Sequence, residues 1–266
     1  MTTTAQTQEK LPGTRPAGAR DESEAAARVQ EMFGKIAPRY DFLNHLLSFS
    51  LDHVWRRRTA KKFAHILKRP DARVLDLCCG TGDLAFALDR VRTRKAAPST
   101  ATQRHPIVGS DFVAGMLTRA REKAGEAKGV PVFVAGDSMN LPFADESFDL
   151  ATTAFGFRNL ANYEHALREI ARVLKRGGEV GMLEFTEPTS GPMAGVFRFY
   201  FKNILPRIGG AISGNSEAYA YLPGSVSRFP SPPALAALME STGFANVEIA
   251  SWNFGSVVLH SAQKAS

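Results

Sequence analysis

Val74-Leu75-Asp76-Leu77-Cys78-Cys79-Gly80-Thr81-Gly82-Asp83-Leu84-Ala85 passes from an apolar-rich run through a Gly-x-Gly step into a segment of helical periodicity. It predicts a buried strand, a tight turn and a helix. Gly80 and Gly82 clear side chains from a place where a ligand meets the backbone, and Ala85 lets the helix pack close to the strand. A Walker phosphate loop is excluded, because no Gly-Lys-Ser/Thr follows. Gly80-x-Gly82-x-x-Ala85 also fits a dinucleotide fingerprint, so a nicotinamide-dependent oxidoreductase stands as one reading.

Outward from this turn, strands are expected at 73–78, 107–110, 130–135, 148–154 and 179–185, with helices at 83–91, 114–127 and 164–174. Such βαβα alternation predicts an α/β fold with a mostly parallel sheet, covered on both faces and binding ligands at the carboxyl ends of its strands. The polar, Pro-containing stretch 92–106 is expected to be a surface insertion that stays out of the core. Helical patterns at 23–38, 40–47 and 53–68 precede the sheet; further helices in 192–222 and 231–243, then strands at 246–251 and 255–261, follow it. The expected organisation is a mobile tail over 1–22, a helical lid over 23–70 and a ligand-binding domain over 71–266.

Three acidic residues sit at successive strand ends. Asp111 closes the second strand, where a carboxylate accepts both hydroxyls of an unphosphorylated ribose; Asp137 and Ser138 follow the third, placed to read an adenine edge. Asp76 lies ahead of the glycines and would repel a pyrophosphate but suit a cationic amino group. Each alone is also an ordinary turn former. Together, adenosine, ribose and a cationic tail describe S-adenosylmethionine.

The chain here resembles the class I S-adenosylmethionine-dependent methyltransferases and, more narrowly, the menaquinone and ubiquinone biosynthesis C-methyltransferases. The likeness rests on 32–41 (Met-Phe-Gly-Lys-Ile-Ala-Pro-Arg-Tyr-Asp), Leu75-Asp76-Leu77 with Gly80-Thr81-Gly82-Asp83, Phe155-Gly156-Phe157-Arg158-Asn159, Leu183-Glu184-Phe185 and Tyr219-Ala220-Tyr221-Leu222. It implies a Rossmann-like, mostly parallel seven-stranded sheet with an antiparallel carboxyl-terminal strand and an amino-terminal helical lid. It also implies S-adenosylmethionine as cofactor, held by Asp76, Thr81, Asp111, Asp137, Ser138 and the backbone at Gly80 and Gly82. A serine contact of the ubiquinone-type members falls on Ala154, which leans the implied substrate toward a prenylated naphthoquinol, demethylmenaquinol, with the benzoquinol precursor of ubiquinone as the alternative.

Methylating a ring carbon beside a phenolic hydroxyl needs a base, an orienting group for the oxygen and in-line placement against the methyl donor. Arg158 and Asn159, directly after the fourth strand, are candidates to hold the quinol oxygen as phenolate. Tyr219, Tyr221, His260 or a held water are candidate proton acceptors, and Tyr40 and Asn44 are expected in the lid.

Of 266 residues, 44% are apolar and 22% charged, an ordinary globular balance. The two cysteines are adjacent, so neither a disulfide framework nor a zinc knuckle is expected, and no His/Asp cluster predicts another metal site. No apolar run reaches the roughly eighteen residues of a membrane span, and residues 1–28 lack a secretory core, so a cytoplasmic setting is expected. The net charge of +7 raises nucleic acid as a partner, but residues 56–69 hold seven basic residues and no acidic one, so that segment accounts for all of it. That address favours either a solvated helix face or a peripheral contact with the anionic inner face of a membrane over nucleic acid. A homodimer is compatible with the sequence.

Overall fold

The computed structural model describes residues 13–16, 18–37, 41, 45, 48–93, 104–125, 131–188, 195, 199, 203, 204 and 216–265, without the side chains of 216–220 and 222. Chain order gives α1 (Glu22–Ile36), α2 (Leu51–Lys62), α3 (Ala64–Leu67), β1 (Val74–Leu77), α4 (Asp83–Thr93), β2 (Val108–Asp111), α5 (Ala114–Ala124), β3 (Val132–Ala135) and β4 (Phe148–Ala154). After a short 3-10 turn, Phe157–Asn159, come α6 (Tyr163–Val173), β5 (Leu174–Phe185), α7 (Ser216–Arg228), α8 (Pro232–Ser241), β6 (Phe244–Trp252) and β7 (Val257–Lys264).

The seven strands form one sheet in the order β3-β2-β1-β4-β5-β7-β6. Strands β1 to β5 run parallel, whereas β7 is antiparallel to both β5 and β6. The order reverses between β1 and β4, which opens a crevice at their carboxyl ends. Alternation along β1 sends Leu75 and Leu77 to a core shared with α6 and α8, while Val74 joins a second core with Phe63, Leu84, Leu88 and Leu117. Asp76, on the same side as Val74, stands opposite Thr152 in β4.

Several boundaries differ from those expected. The helix expected over 53–68 breaks at Phe63, whose ring fills the space above Gly181 of β5, where a side chain would overlap it. Strand β5 begins at Leu174, paired with Phe148, and a register shift between Phe148 and Leu150 absorbs the Gly177-Gly178 step. The insertion expected from residue 92 starts later: α4 continues to Thr93, and buried Arg92 donates to the Ala72 carbonyl. Residues 94–103 lie outside the described residues, as do Tyr40, Asn44 and most of 189–215.

The amino-terminal tail is also shorter than expected. Thr14 is 2% exposed; its amide donates to the Leu160 carbonyl at 2.8 Å, and its hydroxyl lies 2.6 Å from the Tyr221 phenol. Arg15 donates to the Ala161 carbonyl at 2.9 Å. The chain then enters α1 through Asp21, which caps the helix by accepting from the Glu24 amide, with Glu22 and Glu24 suited to the positive end of the helix dipole. Gln30 fastens α1 beside the crevice through the Phe112 carbonyl, at 2.7 Å.

Candidate active site

The three aspartates expected at one sheet edge come together around a cleft with three lobes that share Cys78. The turn after β1 is built on left-handed residues, Cys78 (φ 48°), Gly80 (φ 55°) and Gly82 (φ 86°), and closes with the Gly82 amide on the Cys79 carbonyl at 2.9 Å. Its geometry interlocks with the turn after β4. The Cys78 Cβ occupies the place that a side chain at Gly156 would need, and Phe155 is itself left-handed (φ 61°).

The first lobe is lined by Asp76, Gly80, Thr81, Asp83, Arg56 and Ala154. Asp76 is wholly buried, with Oδ1 accepting from the Thr152 hydroxyl at 2.9 Å and Oδ2 accepting no hydrogen bond. Burial pushes its carboxyl up to about 7, against the Thr152 hydroxyl, the Ala85 amide and the Arg56 charge. An orphaned buried carboxylate oxygen is costly unless a cation meets it, and the amino group of S-adenosylmethionine fits that need.

In the second and third lobes the key group is Asp111. Its Oδ2 accepts from the Gly80 amide at 2.8 Å and Oδ1 from the Val113 amide at 2.9 Å, which aims the carboxylate across the mouth of the turn. Burial raises this carboxyl too, opposed by the Val113, Gly80 and Phe112 amides. Asp137, exposed, caps its own turn through the Met139 amide at 2.9 Å, and Ser138 is buried beside Cys78, 3.4 Å from its sulfur. The second lobe is apolar, walled by Val29 and Phe33 of α1 with Met116 and Phe155, and Asn159 borders both the second and third lobes. The Asn159 Oδ1 is buried and accepts no hydrogen bond from the described residues.

A charged latch joins the first lobe to the amino-terminal segment at Asp41. Lys123 reaches Asp83 at 2.7 Å, Asp41 at 3.0 Å and the Thr81 hydroxyl at 3.1 Å, and the Thr81 hydroxyl donates to Asp41. Behind it, Asp52 accepts from Arg56 and from Ser48 at 2.7 Å, and His45 lies 2.8 Å from Asp52. Although burial pushes the Asp83 carboxyl up, the Arg56 and Lys123 charges hold it below the usual range. His45, Asp52 and His53 stand at metal-ligand spacing, a grouping that sequence spacing did not bring together. Both Asp52 oxygens are already engaged, and the Arg56 guanidinium beside them opposes a second cation.

The family model of the ubiE/COQ5 methyltransferase family matches residues 21–264. The chain belongs to this family. Among ubiE/COQ5 relatives, the demethylmenaquinone methyltransferase of Deinococcus radiodurans is 49% identical, with 84% of this chain and 88% of the relative aligned. That of Thermus thermophilus is 48% identical over 86% of this chain and 98% of its own, and the ubiquinone/menaquinone biosynthesis C-methyltransferase of Geobacter sulfurreducens 40% over 91% and 90%. A solved S-adenosylmethionine-dependent methyltransferase of Thermotoga maritima, titled a possible histamine N-methyltransferase, has a TM-score of 0.60 at 18% identity, covering 89% of this chain and 99% of that one. The class I fold and the methyl donor are those of the ubiE/COQ5 family.

Set among ubiE/COQ5 motifs, Arg158 and Asn159 part company. Asn159 borders the second and third lobes, and Arg158, which is not in the lining of the three lobes described, is buried and donates from Nη1 to Glu184 Oε2 at 2.9 Å and to the Phe155 carbonyl, with the Arg158 amide on Glu184 Oε1 at 3.0 Å. Tyr163 donates to the Arg158 carbonyl at 2.8 Å. Tyr219 falls in α7, but its side chain lies outside the described residues; Tyr221 is held at Thr14. His260, buried in β7, has Nε2 on the Pro232 carbonyl at 3.0 Å, the packed position its strand pattern suggests. Asp41 closes the 32–41 motif and Arg56 opens the basic 56–69 stretch, but sequence alone assigned neither a place at the site, and it did not single out Lys123 or Thr14. The Leu183-Glu184-Phe185 motif was visible, but the partner of its carboxylate was not.

Proposed function

We propose that this chain methylates a ring carbon of demethylmenaquinol to give menaquinol, acting from the inner face of the cytoplasmic membrane. The observation that carries the reading is the apolar lobe between Phe33, Met116 and Phe155, which adjoins the Asp76–Gly80–Asp111 edge and ends on the unpartnered amide oxygen of Asn159. It is supported by the aligned relatives named demethylmenaquinone methyltransferase. Relatives named for both quinones keep the ubiquinone precursor as the second reading. Ala154, which lines the first lobe without a side-chain donor, favours the naphthoquinol.

S-adenosylmethionine, when bound, supplies a methyl group on an electrophilic sulfonium. Asp76 holds the amino group, Asp111 the ribose hydroxyls, and Asp137 with Ser138 the adenine edge. Phe33, Met116 and Phe155 pack the flat ring and exclude water, so that the ring carbon beside the hydroxyl, not the hydroxyl itself, faces the position of the methyl group in line. Asn159 Oδ1 accepts from that hydroxyl and orients it. With the hydroxyl deprotonated by a base, the ring carbon would be the nucleophile for that methyl group, S-adenosylhomocysteine would be the leaving group, and loss of the ring carbon's own proton to solvent would restore the aromatic ring. Arg158 serves as a positioning residue, fixing the 155–159 turn through Glu184.

The test is methyl transfer from labelled S-adenosylmethionine to a water-soluble, short-tailed demethylmenaquinol and, in parallel, to the matching benzoquinol. The naphthoquinol is expected to be methylated on carbon with the larger kcat/KM; no transfer to either acceptor would end the proposal.

A further inference from the structure

Three cations meet in a cleft that the methylation chemistry leaves unused. Arg57 and Lys61 of α2 and Arg90 of α4 line a cavity of about 390 Å³ together with His53, Arg56 and Asp83. Arg56 and Asp83 are engaged with each other and with Asp52 and Lys123, so the cleft's remaining charge is positive. Among the described residues, Arg57, Lys61 and Arg90 have no ion-pair or hydrogen-bond partner, and all three line the cleft. Converging unpaired cations in a concave site are the chemistry that recognises a phosphate.

The same helix face carries exposed apolar groups. At 3.6 residues per turn, the outer half of α2 runs Arg57, Lys61, Val54, Arg58, Leu51, while Asp52, Trp55, Arg56, Thr59 and Ala60 are buried. Val54 and Leu51 are exposed, and Phe49, just ahead of the helix, is 75% exposed. Across the edge, Trp55 donates to Asn253 at 2.9 Å and Arg58 stacks on Trp252, which brings Phe254, 77% exposed, to the same rim. Phe49 (φ 53°) and Phe254 (φ 58°) are both left-handed, a costly conformation for a bulky residue.

We infer that this edge is a docking surface for an anionic phospholipid bilayer, with headgroup phosphates in the Arg57–Lys61–Arg90 cleft and Phe49, Leu51, Val54 and Phe254 entering the acyl boundary. A basic stripe beside exposed aromatic and aliphatic groups is the pattern of an interfacial anchor. The surface also communicates with the active site. Trp55, which holds the Asn253 end of the rim, packs edge-on against Phe155, the wall of the apolar lobe, with centroids 6.0 Å apart. A prenylated ring would thus pass from bilayer to cleft past one layer of aromatic side chains. The inference rests on the proposed quinol substrate and narrows the basic stretch at 56–69 to particular residues: Arg56 is buried in the site, Lys62 pairs with Glu248, and Arg69 pairs with Asp71 and Asp149.

The test is sedimentation of the full chain with phosphatidylglycerol vesicles and with neutral phosphatidylcholine vesicles at low and high salt, beside methylation of the short-tailed soluble quinol. Binding to the anionic vesicles alone, weakened by salt, is expected. A triple variant, Arg57→Gln, Lys61→Gln and Arg90→Gln, loses on the order of 100-fold in partitioning. Phe254→Asn, which suits the left-handed backbone, weakens binding severalfold; both variants keep soluble-quinol turnover. Wild-type protein that methylates soluble quinol but ignores anionic vesicles would overturn the inference and leave the proposed function intact. Vesicle binding without quinol methylation would do the reverse. Inorganic phosphate bound in calorimetry without vesicle binding, or a dimer in sedimentation velocity that Phe254→Asn dissociates, would assign the surface to a free anion or to a second copy, and each overturns the inference.

Discussion

Arg158 and Glu184 form a buried ion pair that carries the turn after β4, with the guanidinium on one carboxylate oxygen and the Arg158 amide on the other. Burial pushes the Glu184 carboxyl up, and Arg158 pulls it down through its charge and two hydrogen bonds. Arg158→Ala leaves that carboxylate uncompensated. Expected are a loss of about 3–5 kcal/mol, roughly 10 °C in Tm, a collapse of turnover, and little change in S-adenosylmethionine affinity. Replacing both partners, Arg158→Met with Glu184→Leu, is expected to restore most of the Tm, and turnover with it, because the pair acts by position. Calorimetry and turnover on the same variants check this; turnover that stays lost after the Tm returns would give the guanidinium a direct part in the chemistry.

Asp111 ties the Gly80 amide to the second strand, and we propose it as the acceptor of the ribose hydroxyls. Asp111→Ala removes both functions. S-adenosylmethionine binding is expected to weaken by about 10- to 100-fold, as for loss of a charged hydrogen-bonding partner. Isothermal titration measures it, and an unchanged Kd would remove Asp111 from the ribose.

Asp76 gives the cofactor affinity a pH dependence with a definite sign. Burial pushes the carboxyl up to about 7, and the proposed partner, the cationic amino group, would bind its deprotonated form. Below pH 7 binding must first release a proton, so the Kd is expected to weaken up to about tenfold per unit as pH falls from 7 to 5.5. The same raised pKa means that ionising Asp76 costs the unliganded fold stability as pH rises from about 4 to 7. Asp76→Asn is expected to flatten the affinity profile while weakening binding throughout. Titrations in buffers of different ionisation enthalpy would reveal the released proton.

Thr14 reaches Tyr221 across the top of the domain. Deleting residues 1–20 removes this hydroxyl and the Arg15 contacts but leaves the α1 cap at Asp21. The expected outcome is a raised KM for the quinol with an unchanged Kd for S-adenosylmethionine, because the described residues of the segment touch α7 and the 160–161 loop and none of the three aspartates.

What could be read from the sequence followed from local pattern. The 74–85 stretch sets its own strand, turn and helix, and strand periodicity placed Asp111 and Asp137 at neighbouring strand ends before any pairing was known. Charges that act across elements were less legible. Arg56 is one of seven cations within residues 56–69, and the packing of α2 on α4 separates it from Arg57 and turns it toward Asp52 and Asp83. Thr14 sits in polar sequence with the composition of a tail, and its burial depends on a partner 207 positions away. Arg158 was legible as important, but its direction depends on the register of β4 and β5, which brings Glu184 beneath it.

The interlock of Cys78 with Gly156 makes two distant codons historically dependent on each other. A methyl group added at Gly156 has no room while Cys78 keeps its Cβ, yet Cys78, already left-handed, can become glycine without collision. Any lineage that exchanges these residues must therefore change Cys78 first. The reverse order passes through a protein whose two strand-end turns cannot both close, so this hinge of the active site has a one-way mutational path.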